Sequence, residues 1–263
     1  MPKLTWDDIG KRFYETGIDR GVLYVGTQPG VAWSGLVSIA ETTSGGESKP
    51  FYYDGFKYIN TSANEEFGAV IEAYTYPEEF GPCDGTAAPL NGFYITHQRR
   101  RSFGLSYRTR VGNDVSGPDF GYKIHMIYNA LAEPSAKSNT TIGDTVDPEN
   151  FSWTVTTRAP AIENYSRTAH FMIDTRTAPP EAVVIVEDIL YGNDEVGGRL
   201  PTVEELFEIF TDNAIIIVTD NGDGSFSITG PDLLVSFIDA TSWQVDSPTV
   251  TYSDAVTYTV SSS

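Results

Sequence analysis

The sequence predicts a mainly β fold of antiparallel strands, and three observations predict it. The first is strict alternation on either side of a turn between residues 102 and 132. Phe103, Leu105, Tyr107, Thr109 and Val111 share one parity; Gly104, Ser106, Arg108 and Arg110 share the other. Further on, Tyr122, Ile124, Met126 and Tyr128 alternate with Lys123, His125, Ile127 and Asn129. A period of two belongs to a strand with unlike faces. The second is the run GNDVSGPDFG at 112–121, turn residues that interrupt the alternation, so that 102–132 reads as a long hairpin with an extended tip at the centre of a sheet. The third is composition: 24 Gly, 15 Pro, 15 Tyr and 14 Phe in 263 residues favour strands and turns over a helical bundle.

The other elements follow in chain order. Residues 1–20 read as an arm with Trp6, Ile9, Phe13 and Tyr14 as isolated anchors, and Gly10 and Gly17 limit any helix there. Residues 21–26 and 31–41 are strands joined by TQPG. Residues 42–50 (TTSGGESKP) read as a flexible loop, and 51–60 as an aromatic-rich hairpin turning at Asp54-Gly55. Residues 66–76 form a strand ended by Pro77, with a helix over 66–73 as the rival reading. A loop at 81–92 leads to FYITHQRRRS at 93–102. After the central hairpin come a loop at 133–150 and strands at 151–160 and 169–176.

The pattern then changes. Residues 179–192 read as a helix with Pro in its first turn, Glu181 near its positive end and Gly192 as its stop. Ala182, Ile185, Val186, Ile189 and Leu190 would share its apolar face. A second helix is predicted at 202–211, with Leu206 and Phe210 four residues apart. The last fifty residues are β again, with a hairpin across Asn221-Gly222-Asp223-Gly224 and further short strands to the end.

Net charge is −19, and its distribution suggests two domains, 1–199 and an acidic β extension at 200–263. The extension holds ten Asp/Glu and no Lys, Arg or His, whereas the first 199 residues hold all 17 Lys/Arg. An acidic chain is a poor tight binder of phosphate backbones, whose affinity comes from cations that displace counterions. It suits either plain solubility or a passage through which DNA slides without sticking. The three adjacent arginines, Arg99 to Arg101, read as a solvated loop or a subunit contact before an anion site. One cysteine, Cys83, allows no internal disulfide. The N-terminal stretch lacks the apolar core of a signal peptide, and no apolar run exceeds five residues, so assembly in a reducing cytoplasm and no membrane span are expected.

Catalytic signatures are not found. The stretch from Asp220 resembles the start of a calcium loop, but the required Gly and Glu are Ser225 and Pro231, and a hairpin turn accounts for it better. His97, His125 and His170 show no metal-ligand spacing, and structural or surface roles are expected. Cys83 has no nearby His in sequence. No phosphate-binding or nucleophile-elbow motif occurs. A glycosidase would need two of the many carboxylates to converge in a pocket. The expectation is no catalysis, no cofactor and no metal.

Several blocks, in this order, carry a family resemblance: GIDRGVLY at 17–24 with Trp33-Ser34-Gly35-Leu36, YYDGFKY at 52–58, IEAYTYPEEF at 71–80 with Cys83-Asp84-Gly85, FGLSYRT at 103–109, and GYKIHMIYNALAEPS at 121–135. Together they resemble the major tail tube proteins of long-tailed, non-contractile bacteriophages that infect actinobacteria. TDNGDGSFSITGP at 219–231 is similar to the acidic C-terminal extensions of such proteins. The resemblance implies an antiparallel β-sandwich with a flanking α-helix and a non-enzymatic virion protein. It implies six-membered rings stacked into a hollow tube for genome delivery, with strands of all subunits joined in an inner barrel. Implied partners are copies of the chain itself, the tape measure protein, and the tail tip and tail terminator proteins, with DNA passing transiently and non-specifically. A carbohydrate-binding or adhesin β-sandwich of a virion or cell surface is the alternative, since it would be equally rich in aromatics and turns.

Within that frame Arg108, Arg110, Lys123, His125 and Asn129 are expected on a wet or intersubunit face of the hairpin, with acidic groups such as Glu72 beside them. Glu72, Arg108, Arg110, Lys123 and His125 are therefore the candidate lumen or subunit-contact positions. Trp6, Phe13 and Tyr14 are the candidate anchors of an intersubunit arm. Loops at 42–50, 78–92 and 112–120 would bridge rings, and the acidic extension would lie on the tube exterior.

Overall fold

The computed structural model describes residues 4–139, 141 and 148–213, and beyond them the backbone of five short strands. The chain divides into two compact units, Met1–Arg176 with Leu190–Leu200, and Thr177–Ile189 with Pro201–Ser263. One division coincides with the charge step near residue 200, while residues 177–189 group with the second unit although they precede it.

Strands of the first unit are β1 (Phe13–Tyr24), β2 (Val31–Ala32), β3 (Leu36–Gly45), β4 (Ser48–Tyr53), β5 (Phe56–Ser62), β6 (Glu65–Ala73), β7 (Ala87–Leu90), β8 (Phe93–Ile95), β9 (Phe103–Asn113), β10 (Gly117–Ala132), β11 (Phe151–Thr157) and β12 (His170–Asp174). The main sheet runs β2-β1-β9-β10-β11-β6-β3, with β12 also paired to β10. All its pairings are antiparallel. The expected mainly β, antiparallel class is what the chain adopts.

β10 turns this sheet into two leaves. It pairs β12 from Lys123 to Ile127, then β11 from Ala130 to Ala132. Between the two stretches its register with β9 shifts, and Asn129 adopts a left-handed φ of 49° that Asn tolerates better than most residues. The strand bends there, and β11-β6-β3 folds back over β1-β9-β10. Leu23, Leu105, Tyr107 and Ile127 of one leaf pack with Ile71, Trp153 and Val155 of the other in a single core cluster. Phe80, in a short 3₁₀ turn at Glu78–Phe80, closes the cluster against Trp33, Phe103 and Trp153.

The central hairpin is buried on both faces from Phe103 to Tyr107 and from Ile124 to Tyr128. Its second face is covered through Tyr24, whose hydroxyl lies 3.0 Å from Ser106 Oγ and donates to the Leu190 carbonyl at 2.8 Å. At Gly104 a Cβ would fall 2.7 Å from Leu200 Cδ2, so a larger residue would force the Leu200 side chain to shift.

Several loop expectations are corrected. β9 and β10 continue to Asn113 and from Gly117, leaving only Asp114–Ser116 as the tip. Residues 42–50 belong to strands β3 and β4, and 87–95 form the β7–β8 hairpin, whose Asn91-Gly92 turn is a strong hairpin signal that the loop reading passed over. β1 starts at Phe13, eight residues before the expected strand. Two bulges, after Thr16 and after Asp19, absorb Gly17 and Arg20, both at positive φ. The strand at residues 65–73 is observed and its helical rival is not.

Two helices, α1 (Pro180–Tyr191), whose last two residues group with the first unit, and α2 (Val203–Asp212) in the second unit, match the predicted helices. α2 begins with a reciprocal cap: Thr202 Oγ1 accepts from Glu205 N and Glu205 Oε2 accepts from Thr202 N. The buried stripe of α1 is Ala182, Val183, Val186 and Leu190; Ile185, expected in it, is exposed. β13 (Ile216–Asp220) pairs antiparallel with β14 (Phe226–Thr229) and parallel with β17 (Val250–Tyr252), and β15 (Val235–Asp239) pairs with β16 (Ser242–Val245). The Asn221–Gly224 turn and residues 253–263 lie outside the described residues.

Candidate assembly surface

The most unusual surface is a continuation of β3 and β6. Their ladder ends at Gly45 opposite Glu65, and β4 and β5 resume it at Ser48 opposite Ser62. Gly45 and Gly46 lie between, at φ 80° and 70°, a conformation that bends the arm and that L side chains rarely adopt. Asp54 and Gly55, both at positive φ, close the tip as the sequence predicts. Every residue of this outer arm is exposed, including Phe51, Tyr52, Tyr53, Phe56, Tyr58 and Ile59. Aromatic and β-branched residues favour the strand locally, but here they join no core and stay exposed. The β7–β8 hairpin repeats the pattern with Leu90, Phe93, Tyr94 and Ile95 exposed.

β1 offers an open edge. β2 covers it at Val22 and Leu23, and Trp33 N donates to the Gly21 carbonyl, so among the described residues the outer edge from Phe13 to Asp19 has no strand partner. Such an edge is a template for pairing with another chain. The segment before it docks back on the hairpin tip: Gly10 N donates to Asp114 Oδ1, and Asn113 Nδ2 donates to the Gly10 carbonyl. Of the three expected anchors, Phe13 packs on Phe120 at 5.4 Å and beneath the Arg176 guanidinium. The Tyr14 ring lies over Gly112. Trp6 alone is largely free, 76% exposed.

The expected polar face of the central hairpin is split between two faces. The register sets Arg108 opposite Ile124 and Tyr107 opposite His125, so Arg108 and Arg110 point one way and Lys123 and His125 the other. Arg108 holds Asp19 in a forked pair at 2.8 and 3.1 Å, and Arg110 reaches the same carboxylate at 3.1 Å. Lys123 is paired with Glu15. The acidic partners of Arg108, Arg110 and Lys123 are thus Asp19, Asp119 and Glu15, not Glu72. Glu72 lies on the outer face of β6, where it accepts from Ser38 Oγ. His125 is buried at 5% exposure on the core side, so the wet face expected for it is overturned.

Asp19 carries a prediction. The Arg108 guanidinium above all, with Arg110, holds its carboxyl below the ordinary value. Its folded pKa is depressed, so the stability it adds is present above the unfolded value and lost as pH falls from about 4 through the folded value. Asp19→Asn should cost about 1–2 kcal/mol at pH 7, toward the low end because the side chain is partly solvated. The gap from the parent should close below pH 4 in urea titrations.

Arg99 and Arg100 line a groove of about 900 Å³ with Arg158, Arg167, Asn129 and Leu131. Arg100 is used structurally, donating to the carbonyls of Ala132 and Glu133 and facing Asp84 at 3.3 Å. Arg99, Arg158 and Arg167 are exposed, and none makes an ion pair with the described residues. Cys83 is fully buried and its thiol is pushed up to about 11 by burial, which fits an inert core residue.

Sequence reasoning missed one cluster. His125 Nδ1 lies 3.1 Å from His170 Nε2, and Glu41 Oε1 lies 3.4 and 3.8 Å from these nitrogens. Tyr107 stacks on His125 and Phe67 on His170, both at 4.6 Å. Burial lowers both imidazoles, His125 to about 4, so both are neutral at pH 7.

No protein family matches the chain, and no curated protein matches it. Among solved structures, the chain is similar to one from the sheath–tube complex of an extracellular contractile injection system, PVC, in its extended state, at 13% identity and TM-score 0.30, over 59% of this chain and 89% of that one. It is also similar to a chain of the anti-feeding prophage tube-terminating cap, at 10% identity and TM-score 0.30, over 66% and 97%. A chain of the six-fold symmetrised baseplate of the same prophage gives 10% identity and TM-score 0.30, over 65% and 97%. No non-contractile phage tail is among these three.

Proposed function

We propose that the chain is a structural, non-enzymatic protein of a phage tail tube, in which copies form six-membered rings that stack into a conduit for the genome. The observation that carries this reading is the β4–β5 arm, six large apolar side chains held outside the core on a defined hairpin. Apolar surface of this kind is stabilised by covering it with another molecule. The open edge of β1 supplies ring-forming strand addition. The unpaired arginines of the groove face an acidic surface of a neighbouring copy, which a chain of charge −19 offers widely. In this reading Arg108, Arg110, Lys123 and Glu72 serve subunit joints or the lumen, and the acidic extension lies on the exterior. Tape measure, tip and terminator proteins are the heterologous partners of a non-contractile tail.

Negative-stain microscopy of the purified protein, alone and with the other tail components, tests the proposal. Rings or tubes of uniform diameter are expected. Monomers that persist under both conditions and bind glycans would point to the adhesin class instead.

A further inference from the structure

The Glu41–His125–His170 cluster has the dimensions of a metal centre. Its three donor atoms come from strands β3, β10 and β12, which only the folded sandwich brings together. Around a tetrahedral zinc ion with bonds of about 2.0–2.1 Å, neighbouring donor atoms sit roughly 3.3–3.5 Å apart. Here the separations are 3.1, 3.4 and 3.8 Å.

The side chains behind the donors orient them. Tyr107 Oη donates to Glu41 Oε1 at 2.8 Å, which turns that oxygen toward the histidines. Thr109 Oγ1 contacts His125 Nε2 at 3.0 Å and fixes which ring edge faces inward. Ligating histidines are characteristically held this way through their second nitrogen. Phe67 and Tyr107 clamp the two rings. His125 and His170 side chains are 6% and 17% exposed, whereas Glu41 is 41% exposed, so the cluster opens to solvent on the carboxylate side.

We propose that Glu41, His125 and His170 bind one divalent transition-metal ion, with zinc as the best fit, leaving a fourth position for water. Two imidazoles and one carboxylate suit zinc, and the set is too poor in oxygen for calcium or magnesium. The ion replaces the hydrogen bond between the rings; the ring that donated it changes tautomer, its proton leaving the inward nitrogen through solvent exchange for the outward one, so that with the ion bound each neutral imidazole carries its single proton on the outward nitrogen, Nε2 in His125 and Nδ1 in His170. The ion would clip β3 to the β10–β12 ladder, four residues before the bend at Gly45 from which the exposed arm departs. The site stands on its own geometry and does not depend on the tail-tube reading.

The test is titration of the full chain, stripped with EDTA, with Co²⁺ and with Zn²⁺. One Co²⁺ per chain with visible d–d absorption, displaced by Zn²⁺, is expected. His170→Gln and Glu41→Gln, both at partly exposed positions, should lose the absorption while keeping the parent's circular dichroism. Tyr107→Phe should bind about tenfold more weakly. Failure of the parent to develop the absorption, or equal binding by His170→Gln, would overturn the site; the second result would place the ion on surface carboxylates.

Discussion

A chain lacking residues 48–62 should fold like the parent and, in the proposed assembly, form no tubes. The deletion leaves Gly46, Glu47, Ala63 and Asn64 as a four-residue hairpin loop on the β3–β6 ladder, whose last pair is Gly45 and Glu65. None of the removed residues is buried, and none belongs to the core cluster. Surface changes of this kind usually stay within about 0.5 kcal/mol, so the melting temperature should move by no more than about 2 °C. The proposed assembly would lose the six exposed apolar side chains of the arm. If the arm carries the ring contacts, sedimentation and microscopy will show only monomers or small oligomers at concentrations where the parent polymerises. Tubes of parental length from the deleted chain would remove the arm from the mechanism.

The contrast between a folded body and an unsatisfied arm was partly legible in the sequence. Alternation found β9 and β10, and Asp54-Gly55 found the arm's tip, because both signals are local. What alternation cannot supply is register. Arg108 and His125 each sit on the less apolar parity of their own strands, yet the pairing of Arg108 with Ile124 sends them to opposite faces. Asp19 was invisible as the partner of Arg108 and Arg110 because the bulges in β1 decide where its side chain points. The histidine cluster was missed for a related reason. His125 and His170 are 45 residues apart and meet only because β12 pairs with β10. The exposure of the arm was not legible either: alternation and turn signals mark a hairpin at 51–60 but not whether its Phe, Tyr and Ile side chains are covered, and in the structure they are exposed.

The core makes the opposite prediction at Phe80. It is fully buried, and its ring lies 4.7 Å from Trp33, 5.1 Å from Trp153 and 5.3 Å from Phe103, centroid to centroid. Those partners come from both leaves, so Phe80 acts as the wedge between them. The backbone holds it there: its carbonyl accepts from the amides of Cys83 and Asp84. Phe80→Ala removes the ring and leaves a cavity that such anchored surroundings cannot close, at a cost of about 3–5 kcal/mol. The melting temperature should fall by roughly 10 °C, and Phe80→Leu by much less. A loss below about 1 kcal/mol in urea titrations would mean that the two leaves repack around the gap. Because Phe80 touches none of the exposed arm, Phe80→Ala chains that remain folded below their new melting temperature should still assemble. That separates it from the arm deletion, which leaves stability and removes assembly.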